Sequence, residues 1–116
     1  MYNELSGKGL EILAFPCNQF LNQENGTNAD IERYVKQHFN SKFPLFSKSE
    51  VNGEDTNVVF RFLRTHSPLY DPITGKAKKI SWNFAKFLLD GKGKVLRYFD
   101  PDDSLAEVRK AVEKLL

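Results

Sequence analysis

An α/β fold is what this sequence predicts, on three observations. An apolar run from Leu10 to Phe15 has the character of a strand buried on both faces, and it stops at Pro16. Two later segments carry apolar residues at helical spacing. The last third reads as two strands joined by a glycine-bearing turn and followed by a capped amphipathic helix. With 116 residues, 41% of them hydrophobic and 13% aromatic, the chain is read as one domain over residues 1–116 with a modest core.

The elements follow in order. Tyr2 to Leu5 reads as the tail of a helix, with Gly7 and Gly9 as stop signals before the Leu10–Phe15 strand. Pro16 has no N–H for a ladder, so Cys17 to Gln23 is released into a polar loop at the strand's carboxyl end. Thr27 or Asn28 caps a helix from about Ala29 to Phe39, whose Ile31, Tyr34, Val35 and Phe39 keep helical spacing. Phe43-Pro44-Leu45-Phe46 is a short extended segment that Pro44 keeps out of a central position. After a turn over Val51 to Asp55, Asp55 or Thr56 caps a second helix through Val58, Val59, Phe62 and Leu63. Ser67 to Lys79, with Pro68, Pro72 and Gly75, is the least ordered-looking stretch. Asn83–Leu89 and Lys94–Phe99 form a hairpin through Asp90-Gly-Lys-Gly93. Ser104 and Glu107 make a capping box, and Leu105, Val108, Val112 and Leu115 form the stripe of a final helix.

Ligands gather at the carboxyl ends of strands in open α/β sheets, which directs attention to the Cys17–Gln23 loop. Gln23, with Trp82 and Asn83 much later, supplies an amide, an indole N–H and a second amide. Converging neutral donors suit an anionic nucleophile in a partly dry pocket. Each residue also has a plainer role. A loop Gln satisfies nearby backbone groups, and a Trp buries area before it uses its N–H. An Asn opening a strand is disfavoured there and asks for a local reason.

Composition excludes several classes. Net charge is +2, and the densest basic cluster, Lys76, Lys78 and Lys79, is too short to argue nucleic-acid binding. No apolar run approaches the ~20 residues of a membrane span, and Met1-Tyr-Asn-Glu-Leu lacks the features of a signal peptide. One cysteine permits no intramolecular disulfide and fits a reducing compartment, so the cytoplasm is expected. His38 and His66 have no metal-site spacing, and neither a metal nor a bound cofactor is expected.

The loop Phe15-Pro-Cys-Asn-Gln-Phe-Leu-Asn-Gln-Glu-Asn-Gly-Thr-Asn28 resembles the FPCNQFGGQEPGTN loop of the glutathione peroxidase family, and Trp82 to Leu88 matches its WNFxKFL block. The two motifs stand in the right order, and the resemblance covers essentially all of the chain. It implies a thioredoxin-like fold, matching the order strand, helix, helix, hairpin, helix. It also implies that Gln23, Trp82 and Asn83 surround a peroxidatic sulfur or selenium. That nucleophile, in an NVASxCG-like block, belongs roughly thirty residues before Cys17, upstream of Met1. The expectation is therefore a domain incomplete at its N-terminus, inactive as written.

Several finer points follow from the resemblance. Cys17 matches the family's second cysteine and is read as a small buried hydrophobe, not the nucleophile. Lys36 falls where thioredoxin-dependent members carry a resolving cysteine, so glutathione or another small thiol is the expected reductant. Leu21-Asn22 and Asn25 depart from the family's usual glycines and proline. The short segment between Ser67 and Ile80 looks like the monomeric, phospholipid-hydroperoxide type. In such a sheet the Leu10–Phe15 and Asn83–Leu89 strands flank a central strand outside this chain. Ile12, Phe84 and Leu88 then lack a partner, unless a second molecule supplies the strand. The alternative from another class is a non-catalytic thioredoxin-like protein that keeps the scaffold for binding or assembly.

Overall fold

The computed structural model describes residues 2–20, 26–39, 43–81 and 83–116, with residues 38 and 39 as backbone only. The chain divides into two compact units, Met1–Glu50 and Val51–Leu116.

In the first unit, α1 (Tyr2–Leu5) runs into a 3₁₀ turn over Ser6–Lys8. Gly9 closes it at φ 110°, where its N–H donates to the Ser6 carbonyl. The strand expected over Leu10–Phe15 does not form a ladder. Its pairing among the described residues is one parallel bridge, Ala14 to Leu45. The Ala14 N–H donates to the Pro44 carbonyl at 3.1 Å and the Phe46 N–H to the Ala14 carbonyl at 2.8 Å. A strand needs a neighbour with donors and acceptors in register. Here the neighbour has no N–H at Pro44, and the run itself ends at Pro16.

The next helix, α2 (Asn28–Phe39), is capped by Thr27. The Thr27 hydroxyl accepts from the Asp30 N–H, and the Asp30 carboxylate accepts from the Thr27 N–H. This reciprocal box satisfies two otherwise orphaned donors. Ile31 is the buried anchor of α2, while Tyr34 is exposed.

The second unit is richer in regular pairing. Asn57, and neither Asp55 nor Thr56, caps α3 (Val58–Thr65), its side chain accepting from the Val59 N–H at 2.9 Å. Thr56 is buried instead, its hydroxyl donating to the Gly53 carbonyl. The Ser67–Lys79 stretch is also more ordered than its prolines suggest. Tyr70–Asp71 (β1) and Lys76–Ala77 (β2) pair antiparallel across a tight turn. The Gly75 N–H donates to the Asp71 carbonyl, and the Ile73 N–H donates to the Asp71 carboxylate. At φ 70°, Gly75 holds a left-handed conformation that a side chain would strain.

Long-range polar bonds tie this small hairpin down. The Arg64 guanidinium donates to the carbonyls of Lys78 (3.0 Å), Ala77 (3.1 Å) and Val51 (3.2 Å). The Asn52 amide both donates to the Ile80 carbonyl and accepts from the Ile80 N–H, doing what a strand neighbour would do. Leu69 and Ile80 are buried beside these bonds.

The larger hairpin pairs β3 (Lys86–Leu89) with β4 (Val95–Phe99), Lys86 opposite Phe99, with an irregularity between Leu88 and Leu89. Both strands are shorter than expected. The first starts at Lys86 because Asn83 and Phe84 turn, and the second starts at Val95. The Asp90 carboxylate accepts from the Lys92 and Lys94 N–H groups, and Gly93 adopts φ 86°. Phe60 of α3 meets Phe87 edge-to-face at 6.2 Å. In α4 (Leu105–Glu113), Ser104 accepts from the Glu107 N–H as expected. Only half of the expected stripe is buried: Val108 and Val112 are covered, but Leu105 and Leu115 are exposed.

Of the three side chains expected to lack a partner, Phe84 is 81% exposed, whereas Ile12 and Leu88 are half-buried.

Candidate active site

Gln23 and Trp82 lie outside the described residues, so Asn83 is the member of the expected trio whose place is defined. It is half-buried in the turn that leads into β3. This location supplies the local reason that an Asn in a strand would lack, since Asn is well suited to turns. Phe84, next to it, holds φ 70°, a left-handed conformation costly for a bulky residue.

Lys86 holds that turn. Its ammonium donates to the Phe84 carbonyl at 2.7 Å and lies 5.9 Å from the Phe84 ring centroid. Burial pulls the Lys86 ammonium below the ordinary lysine range, with the Asp103 carboxylate acting in the opposite direction. Before the turn, the Ser81 hydroxyl donates to the Asp100 carboxylate at 2.9 Å. Burial, reinforced by Asp100, pushes the Tyr98 phenol up. The Asn83 turn thus has a polar bond on either side of it, Ser81 to Asp100 before and Lys86 to Phe84 after.

The other expected region is the loop at the end of the first apolar run. The Ser49 N–H donates to the Pro16 carbonyl, the Lys48 N–H donates to the Asn28 side chain, and Phe15 stacks on Phe46 at 4.6 Å. Cys17 is half-buried rather than buried. Its thiol donates to the Gln19 side-chain oxygen, and its sulfur accepts from the Gln19 N–H, both at 3.5 Å. A polar recess of about 390 Å³ is lined by Asn18, Gln19, Lys48, Ser49 and Glu50. Lys36 sits on the exposed face of α2, paired with Glu32 at 2.8 Å.

His66 stacks on Phe62 at 4.2 Å, and among the described residues no group of three or more His, Cys, Asp or Glu is placed to hold a metal. No helix among them is long and apolar enough to cross a membrane. Lys86 and the Lys48–Glu50 rim escaped the sequence reading. A lysine reaching back two residues to a carbonyl has no pattern that distinguishes it from any solvated lysine.

The family model for glutathione peroxidase matches residues 1–64. The chain is 40% identical over 117 residues to the hydroperoxy fatty acid reductase gpx1 of Synechocystis, covering all of this chain and 69% of that protein. It is 40% identical over 116 residues to the chloroplastic phospholipid hydroperoxide glutathione peroxidase 1 of Arabidopsis thaliana, again covering all of this chain but 47% of the relative. The chain thus spans about half the length of its chloroplastic relative. Among solved structures, T. cruzi GPX1 superposes with a TM-score of 0.68 at 30% identity, over 98% of this chain and 65% of that one. The apo form of Trgpx, at 23% identity and a TM-score of 0.69, shares the fold over 98% of this chain and 64% of that one. The fold is α/β and thioredoxin-like. By motif, family model and identity, the chain belongs to the glutathione peroxidase family.

Proposed function

We propose that this chain serves the thiol-dependent reduction of hydrogen peroxide and of organic or lipid hydroperoxides in the response to oxidative stress. The observation that carries this proposal is the Phe15–Asn28 loop, which bears Gln23 and falls inside the family match. In the reaction, a peroxidatic thiolate or selenolate attacks a peroxide oxygen and releases water or an alcohol. Two reductant thiols then return the resulting sulfenic or selenenic acid to its starting state, leaving as a disulfide with release of water. Gln23, Trp82 and Asn83 are assigned to hold the anion and the transferring charge. Glutathione or another small thiol is the assigned reductant, because Lys36 stands at the resolving position. We assign a monomer and a cytoplasmic location. Among the relatives are proteins named as chloroplastic and mitochondrial, so subcellular fractionation is the check on the location.

The 116 residues contain one cysteine, Cys17, which matches the family's second cysteine position. They supply the donor residues of the site and no peroxidatic residue. The recombinant chain is accordingly expected to show no turnover of hydrogen peroxide or lipid hydroperoxide with glutathione or thioredoxin. Robust turnover that disappears in Cys17→Ser would overturn this assignment. The transcript ahead of Met1 is the second check. A continuous frame encoding an NVASxCG-like strand, with Cys or a UGA-encoded selenocysteine, supports the enzyme. A start codon with no such frame favours the non-catalytic scaffold.

A further inference from the structure

Phe84 stands in a backbone conformation that its own side chain does not account for. Among the described residues it is the one non-glycine at positive φ, at 70°, where a bulky residue is strained. Packing does not compensate, because its ring is 81% exposed. The strain falls one residue after Asn83, the described member of the trio assigned to the peroxidatic site. Something outside Phe84 has to hold this turn.

Lys86 meets that requirement. Its backbone is paired in β3 opposite Phe99, which is 1% exposed, so its side chain reaches back from a firm base. The ammonium donates to the Phe84 carbonyl at 2.7 Å and lies 5.9 Å from the Phe84 ring centroid, so the backbone and the ring of the strained residue share one cation. Lys86 is half-buried, and burial pulls its ammonium below the ordinary lysine range. A lysine kept only for solubility holds its ammonium in water. This one has given up part of its hydration for contacts to Phe84.

We propose that Lys86 is a positioning residue: by holding the Phe84 carbonyl it maintains the left-handed turn that sets where the Asn83 amide points. The lever is geometric. If φ of Phe84 relaxed from 70° to the ordinary range at roughly −60°, the Asn83–Phe84 peptide unit would swing by roughly 130° relative to β3. A donor for a developing anion is effective only when it is aimed before the reaction begins. A misplacement of ~1 Å at such a site costs on the order of 100-fold in rate. The inference rests on the assignment of Asn83 to the peroxidatic site. Loss of that assignment would leave the turn itself unaffected, so the two failures are distinguishable.

The test is NMR spectroscopy of the isotope-labelled chain, following the Phe84 backbone coupling constant, which reports φ, and the Asn83 side-chain amide resonances. Lys86→Met keeps the stem and removes the charge. In it the ratio of left-handed to ordinary Phe84 conformers is expected to fall about tenfold to a hundredfold, the scale of one hydrogen bond to a charged group. The Asn83 amide signals should move with it. Lys86→Arg, which restores a cationic donor, should bring both signals back. Phe84→Gly combined with Lys86→Met should also recover the Asn83 signals, since glycine occupies the left-handed region unaided. That rescue separates positioning of the turn from general support of the hairpin, which a glycine at this position cannot supply. A Lys86→Met variant whose Asn83 amide signals match the parent would overturn the proposal. So would a Phe84→Gly, Lys86→Met double variant whose Asn83 signals stay displaced, which would make Lys86 a strut of the hairpin and not of the turn.

Discussion

The two units solve the same problem, satisfying an extended backbone, in different ways. Among the described residues of Val51–Leu116, the pairing partners are near in sequence or supplied by a side chain. β3 meets β4 across the five residues Asp90–Lys94, β1 meets β2 across Pro72–Gly75, and Asn52 stands in for a strand beside Ile80. In Met1–Glu50 the apolar run from Leu10 to Phe15 has to find a partner thirty-one residues on (Ala14 to Leu45), and among the described residues it finds one bridge. Closing a long loop costs more chain entropy than closing a turn, and a single bridge recovers little of it. An apolar run of strand character is therefore not yet a strand. What makes it one is a neighbour in register.

Paired truncations should test this contrast most sharply. Phe99 in β4 is 1% exposed, and Phe15 is half-buried against Phe46. Phe99→Ala is expected to cost about 3–5 kcal/mol in urea melting, and Phe15→Ala only about 1–2 kcal/mol. Equal losses would show that the first unit is as tightly packed as the second. A smaller effect is expected at the side chain that substitutes for a strand. Asn52→Ala leaves the Ile80 N–H and carbonyl without their partner and should cost about 1–3 kcal/mol. Hydrogen exchange at the Ile80 amide should rise by a matching factor. An unchanged exchange rate would show that this clamp adds nothing to the hairpin's stability.

The smallest effect expected is that of acid, and it should appear in both units. Hydrogen bonds from Thr27, with Arg33 alongside, hold the Asp30 carboxyl below the usual carboxylate range, and the Lys94 and Lys92 N–H groups do the same for Asp90. A depressed folded pKa means that the unfolded chain binds the proton more readily. The stabilisation is therefore fully present above the unfolded value of about 3.9 and is lost as pH falls through the folded value. NMR titration should show the start of α2 and the Asp90–Gly93 turn loosening only below the ordinary carboxylate range. Loosening of either near neutral pH would remove these carboxylates as the cause.

Local chemistry was legible in the sequence. Thr27 and Ser104 cap their helices, Gly9 and Gly93 take the left-handed positions that ended or turned the chain, and the hairpin around Asp90–Gly93 forms where its residues indicated. Each of these depends on residues within four positions of one another, so no distant segment can overrule it. The family, too, could be read from two motifs, although Asn83 was read as opening a strand and lies in a turn. Only the tertiary structure decided the rest. Asn57 displaced Asp55 and Thr56 as a cap because Thr56 was drawn inward to Gly53. The Pro-rich stretch became a hairpin because Arg64, thirteen residues before Ala77, supplied donors to its carbonyls. The strand at β3 began at Lys86, whose ammonium holds the turn at Phe84, and Leu10–Phe15 remained an extended segment. In each case the deciding partner lay outside the local window or acted through a side chain's reach. Neither leaves a periodicity or a spacing in the sequence, because backbone groups accept whichever donor the fold brings to them.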